Sequence, residues 1–89
     1  MITKDIKITN RLGLHARPAA MVAQTAANFE CDIKIAKDKV EINAKSIMGV
    51  MMLAAEYGST LHLTFDGKDE KEAAQAILQL FTNNFNEEY

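Results

Sequence analysis

The stretch Gly13-Leu14-His15-Ala16-Arg17-Pro18 carries the most chemistry in this chain, and an alanine-rich run follows it at once. Alanine is the best helix former and proline is tolerated in a first helical turn, so a helix is expected over about residues 16–27. His15 then stands at the mouth of that helix, between a flexible glycine and a helix-opening proline. The first N–H groups of a helix have no intrahelical partner and point outward, and the aligned peptide dipoles favour an anion there. Each such effect is worth roughly 0.3–1 kcal/mol at an exposed site. Ala16 and Arg17 keep their N–H groups, whereas Pro18 has none to offer. Arg17 adds a planar fork of donors matched to phosphate oxygens. These parts suit a histidine that itself takes up a phosphoryl group, since a neutral imidazole offers an unshared pair near neutral pH. Either ring nitrogen could serve. From spacing alone, a capping or loop histidine without chemistry is a second account, and it stays open.

No other constellation competes. His15 and His62 with scattered acids form no metal-ligand set, and no glycine-rich nucleotide loop is present, so neither metal nor cofactor is expected. Cys31 is alone, which excludes a disulfide framework and reads as a small buried hydrophobe in a reducing compartment. Ten Lys+Arg against twelve Asp+Glu leave a net charge of −2, an unfavourable balance for a nucleic-acid binder. The longest apolar run, Ile47 to Ala55, falls far short of the roughly 18–20 residues of a membrane span. No secretory signal is visible at the start of the chain, and the reading is a soluble, cytoplasmic protein, by default a monomer.

The 89 residues hold one domain, 1–89, with 48% apolar and 25% charged residues. Ile2, Ile6 and Ile8 share one parity, which argues for a half-buried strand over about residues 2–8. Cys31, Ile33 and Ile35 alternate with polar neighbours, Lys37-Asp38-Lys39 turns, and Val40, Ile42 and Ala44 alternate again as a hairpin. Ser46 is a good N-cap for a short helix from Ile47. Leu61, Leu63 and Phe65 make a fourth strand on which His62 lies at the polar parity. Asp69 and Glu72 resemble a capping box, and Ala73, Ala74, Ile77, Leu78, Phe81 and Phe85 form the inner stripe of a last helix. The tail Asn86-Glu87-Glu88-Tyr89 reads as a frayed, solvated end. Four strands with one apolar face need helices on a single side. The expected fold is therefore α+β, a two-layer open-faced β-sandwich in the order β-α-β-β-α-β-α.

Two separated segments resemble a known family. Gly13-Leu14-His15-Ala16-Arg17-Pro18-Ala19 is similar to the active-site signature of HPr, the histidine-containing phosphocarrier of the phosphoenolpyruvate-dependent phosphotransferase system. Lys45-Ser46-Ile47-Met48-Gly49-Val50-Met51 resembles the family's second signature, at the family's spacing. The likeness covers essentially the whole chain, including its length and element order. It implies that His15 accepts a phosphoryl group from Enzyme I and passes it to an Enzyme IIA-type protein, steadied by Arg17 and the backbone of Ala16 and Arg17. It further implies that Ser46 is the target of an HPr kinase/phosphorylase where the organism has one. Ala20, Ile47, Met48, Gly49 and Met51 would make the partner surface, methionines being adaptable contacts for several partners. Met52 is the member of that cluster expected in the core. Leu12 departs from the small or polar residue many sugar-transport members carry. Ile8 to Gly13, with Leu80, Phe81 and Phe85, looks like the nitrogen-related branch, while Lys45 to Gly49 looks like kinase-regulated members. Both branches therefore stand as readings, and a regulatory module acting through Ser46 is the alternative to a phosphocarrier.

Overall fold

The computed structural model describes residues 1–87, and Glu88 and Tyr89 of the expected frayed tail lie outside them. Strand β1 (Ile2–Lys7) leads to helix α1 (Ala16–Ala26), and the hairpin β2 (Asp32–Lys37) and β3 (Val40–Asn43) follows. Helix α2 (Ile47–Met52), strand β4 (Thr60–Asp66) and helix α3 (Glu70–Thr82) complete the order, with a single 3-10 turn at Asn84–Asn86. The strands lie in the order β1-β4-β2-β3, each antiparallel to its neighbour. The expected architecture is the observed one.

The period-two pattern decides which face is covered. Ile33, Ile35, Leu61, Leu63 and Phe65 are buried, while Lys34 and His62 between them are exposed. Val22 and Ala26 of α1, Val50 of α2 and Ala73, Ile77 and Phe81 of α3 close over that face. Each large aliphatic or aromatic side chain so buried is worth roughly 1.5–3 kcal/mol, which makes this layer the main source of stability. In β1 the pairing of Ile2, Lys4 and Ile6 with Phe65, Leu63 and Leu61 puts Lys4 on the covered side. It stays exposed because β1 is an edge strand, so the apolar parity skips that position. His62 sits on the open face as expected and pairs at 2.6 Å with Asp5, its cross-strand partner.

Two expectations about α3 need correction. Asp69 does not close a capping box; its carboxylate accepts from the Glu30 and Cys31 N–H groups at 2.8 and 2.9 Å, tying α3 to the start of β2. Glu70, rather than Glu72, reaches back to the Gly67 N–H at 3.1 Å. The helix also ends at Thr82, so Phe85 does not continue its inner stripe. Asn84, Phe85 and Asn86 have φ of 50°, 56° and 62°, a left-handed run that turns the chain back on itself. Asparagine tolerates that region, but a phenylalanine there costs about 1–2 kcal/mol. Burial of the Phe85 ring, 1% exposed, together with its edge-on contact at 4.9 Å with Phe81, offsets that cost.

Candidate functional site

His15 is the N-cap of α1, in extended backbone, and its carbonyl accepts from the Ala19 N–H at 3.0 Å. Its ring makes no capping bond, so it is free to face outward. Two backbone features hold it there. Gly13 turns with φ +67°, and the Leu14 N–H donates to the Ala55 carbonyl at 3.0 Å. Leu14 is buried, anchoring the loop one residue before the imidazole. Ala16 and Arg17 follow as the first two helical residues, with their N–H groups at the helix mouth, and Pro18 comes third and is buried. The His15 side chain is 37% exposed and that of Arg17 59%.

The surprise lies at the other end of the chain. Glu87, expected in a solvated tail, has a side chain only 5% exposed and accepts at 2.7 Å from His15 Nε2. Its second oxygen accepts from Asn10 Nδ2 at 2.9 Å, and Asn10 also donates to the Gly13 carbonyl at 2.9 Å. Arg17 Nη1 stands 4.0 Å from the same Glu87 oxygen that meets His15, a loose contact. Burial pushes the Glu87 carboxyl up, but hydrogen bonds from Asn10 and His15 and the electrostatic pull of His15 and Arg17 outweigh it. The carboxyl therefore lies below its usual 4.5. An ionised carboxylate can only accept, so Nε2 carries a proton, and whenever the ring is neutral its unshared pair is on Nδ1. Glu87 and Asn10 are the site residues that sequence reasoning missed. The asparagines around Phe85 were the available signal of a turn in place of a helix.

A depressed carboxyl stabilises the fold above its unfolded pKa, and that contribution is lost as pH falls through the folded value. Glu87→Gln is accordingly expected to be less stable than wild type at neutral pH. The gap should close on acidification below about pH 4.5, the ordinary value for the group. Urea unfolding at a series of pH values checks this, and a gap that widens in acid would contradict it.

The second segment forms α2. Ser46 is its N-cap as expected, accepting from the Gly49 N–H at 3.0 Å, and is exposed. Lys37 Nζ donates to the Leu53 and Ala54 carbonyls at 3.3 and 3.2 Å and so closes the other end. Ile47, Met48, Met51 and Met52 are exposed by 42%, 72%, 42% and 70%. Met52 is therefore not in the core, which takes Val50 and Leu53 instead: a six-residue helix lying flat on its neighbours buries a narrow stripe. Ala20 is half-buried on α1, against which α2 packs. Because Ala55, just past α2, holds the Leu14 N–H, this uncharged surface and the imidazole are neighbours.

An imidazole at an open helix mouth, without walls to enclose a small substrate, suits a carrier whose partners bring the rest of the site. Comparison with known proteins agrees. The family model for the PTS HPr component phosphorylation site matches residues 2–83. The phosphocarrier protein HPr of Treponema pallidum is 49% identical over 88 residues, 99% of this chain and all of the relative. That of Cupriavidus necator is 51% identical over 87 residues, 98% of each chain. The crystal structure of HPr-C-His from Thermoanaerobacter tengcongensis superposes with a TM-score of 0.95, at 45% identity over the whole of both chains. The chain belongs to the HPr family of phosphocarrier proteins of the phosphotransferase system, relay proteins with no enzymatic turnover of their own.

Proposed function

We propose that His15 Nδ1 is the phosphoryl acceptor, and that Glu87 is the positioning residue that leaves this nitrogen unprotonated. The observation carrying this reading is the 2.7 Å bond between Nε2 and a carboxylate held in its ionised form. In the uptake step the Nδ1 pair attacks phosphorus, the bond from phosphorus to the Enzyme I donor breaks, and Nε2 keeps its proton, hydrogen-bonded to the Glu87 carboxylate, which balances the positive charge the ring gains. The phosphoryl oxygens then meet the Ala16 and Arg17 N–H groups at the helix mouth. Arg17, lightly held at 4.0 Å from Glu87, turns toward the new charge. Ala16 and Arg17, which hold the phosphoryl oxygens, are both exposed, so the grip stays weak enough for the group to move on to an Enzyme IIA-type acceptor.

The test is phosphorylation by phosphoenolpyruvate and Enzyme I at alkaline pH, with phosphorus and nitrogen NMR locating the adduct. An Nδ1 adduct is expected, and one on Nε2 would overturn the assignment. In Glu87→Leu the neutral ring should lose its preference for the Nε2–H form, read from the nitrogen shifts.

The docking surface for Enzyme I is α2, with Ile47, Met48, Gly49 and Met51 joined by Ala20 of α1. Its support is the absence of charge on α2 and its continuity with the His15 loop. Ser46, exposed at the edge of that surface, is the proposed regulatory target of a kinase/phosphorylase. Ser46→Glu is expected to weaken Enzyme I binding by roughly an order of magnitude, because a carboxylate must be desolvated beside an apolar contact. Calorimetry showing unchanged affinity would remove this regulatory role. A monomer working in the cytoplasm, in sugar uptake more than in a nitrogen-related relay, completes the reading; the Treponema pallidum and Cupriavidus necator relatives are both called phosphocarrier protein HPr.

A further inference from the structure

Three of the five methionines in the chain lie within the six residues of α2. All three reach solvent, and the helix carries no charged side chain that would draw the surface toward polar contacts. We propose that Met48, Met51 and Met52 form a reversible oxidation site, at which hydrogen peroxide or a related peroxide converts thioethers to sulfoxides and closes the docking surface. The inference rests on the reading of α2 as the surface that meets Enzyme I. In the oxidation step a sulfur lone pair attacks one peroxide oxygen and the O–O bond breaks. An S–O bond forms and water leaves, or an alcohol when the oxidant is an organic hydroperoxide, so sulfur is oxidised by two electrons and peroxide reduced.

Elsewhere among the described residues, only Met1 offers a peroxide a comparably open sulfur. Cys31 is 2% exposed, sealed by Gly67, whose added Cβ would stand 2.6 Å from the Cys31 Cβ. Burial and the neighbouring Asp69 push its thiol up to about 11, so the reactive thiolate is scarce. Met21 is half-buried in α1. Met1 is exposed but sits at the start of the edge strand, where its amine pairs with Glu70 at 3.1 Å, and it serves as an internal control. A thioether makes adaptable apolar contact, whereas a sulfoxide oxygen needs a donor that a dry interface does not supply. Docking should therefore weaken while the imidazole, its carboxylate and the helix mouth remain intact.

The experiment treats the full chain with peroxide, locates added oxygen by peptide mass spectrometry, and follows phosphoryl uptake from phosphorylated Enzyme I. Oxygen is expected on Met48, Met51 and Met52 well ahead of Met21. The KM for Enzyme I should rise about tenfold, equivalent to about 1.4 kcal/mol, with kcat little changed. Methionine sulfoxide reductases should restore it. The M48L/M51L/M52L variant, whatever its own starting rate, should hold that rate through the same treatment. Oxidation of α2 that leaves uptake unaltered, or a loss of uptake that persists in this variant, overturns the proposal. Met48→Glu separates the two levels. If Met48→Glu docks normally, the docking reading itself fails; if it docks poorly while the sulfoxides do not, only the oxidation site is refuted.

Discussion

His15→Ala is expected to abolish phosphoryl uptake from phosphoenolpyruvate and Enzyme I while leaving the fold in place. No other side chain among residues 1–87 can substitute for the ring. His62 faces the open side of the sheet in a pair with Asp5, and Cys31 is sealed with its thiol raised to about 11. The Ser46 hydroxyl, which caps α2 through the Gly49 N–H, is a weak nucleophile without a kinase to activate it. The structural loss is small because the ring makes no capping bond and its pairing with Glu87 is partly open to water. A cost of about 1 kcal/mol or less follows, which for a domain of this size moves Tm by no more than about 8 °C. Mass spectrometry of the phosphorylated mixture, alongside a thermal melt, checks both halves. Uptake equal to that of wild type would remove His15 from the relay.

Gly13→Ala should instead damage the fold at the site's foundation. The residue has φ +67°, and an added Cβ would stand 2.4 Å from the Ala55 carbonyl oxygen, which receives the Leu14 N–H. The left-handed backbone costs about 1–2 kcal/mol for any residue with a Cβ, and forcing the carbonyl aside loses about 1 kcal/mol of hydrogen bond. A total of about 2–3 kcal/mol is expected, seen as a lowered urea midpoint with unchanged slope. Uptake should fall as well, since the Leu14 to Ala55 bond aims the next residue, His15. Stability within about 0.5 kcal/mol of wild type would show that the loop relaxes without strain, well inside the range of an ordinary surface exchange.

Most of the fold was legible because its determinants are local or periodic. Ile33, Ile35, Leu61, Leu63 and Phe65 announce a covered sheet face by alternation alone, and Ser46 announces α2 by its capping chemistry. The His15 to Arg17 half of the site was legible for the same reason, being built from adjacent residues on one helix start. Its other half was not. Glu87 reaches His15 across 72 positions of sequence, through a left-handed run held by a buried Phe85 and a bond between Thr9 and Asn84. Phe85 fits a helical stripe as well as it fits an anchored turn, and the spacing four residues after Phe81 misled. Met52 was misplaced for a related reason. An apolar residue in a short helix signals burial only when the helix is long enough to fill a stripe, and α2 is a single turn and a half.

The side of the sheet that no helix covers offers a practical handle. Lys34, in the middle of β2 and turned to solvent, projects from the layer opposite α1 and α2. With the native thiol sealed, a cysteine placed at position 34 would be the group a maleimide finds first. A dye or a surface tether attached there would leave both relay partners unobstructed, so single-molecule turnover could be watched without blocking either exchange.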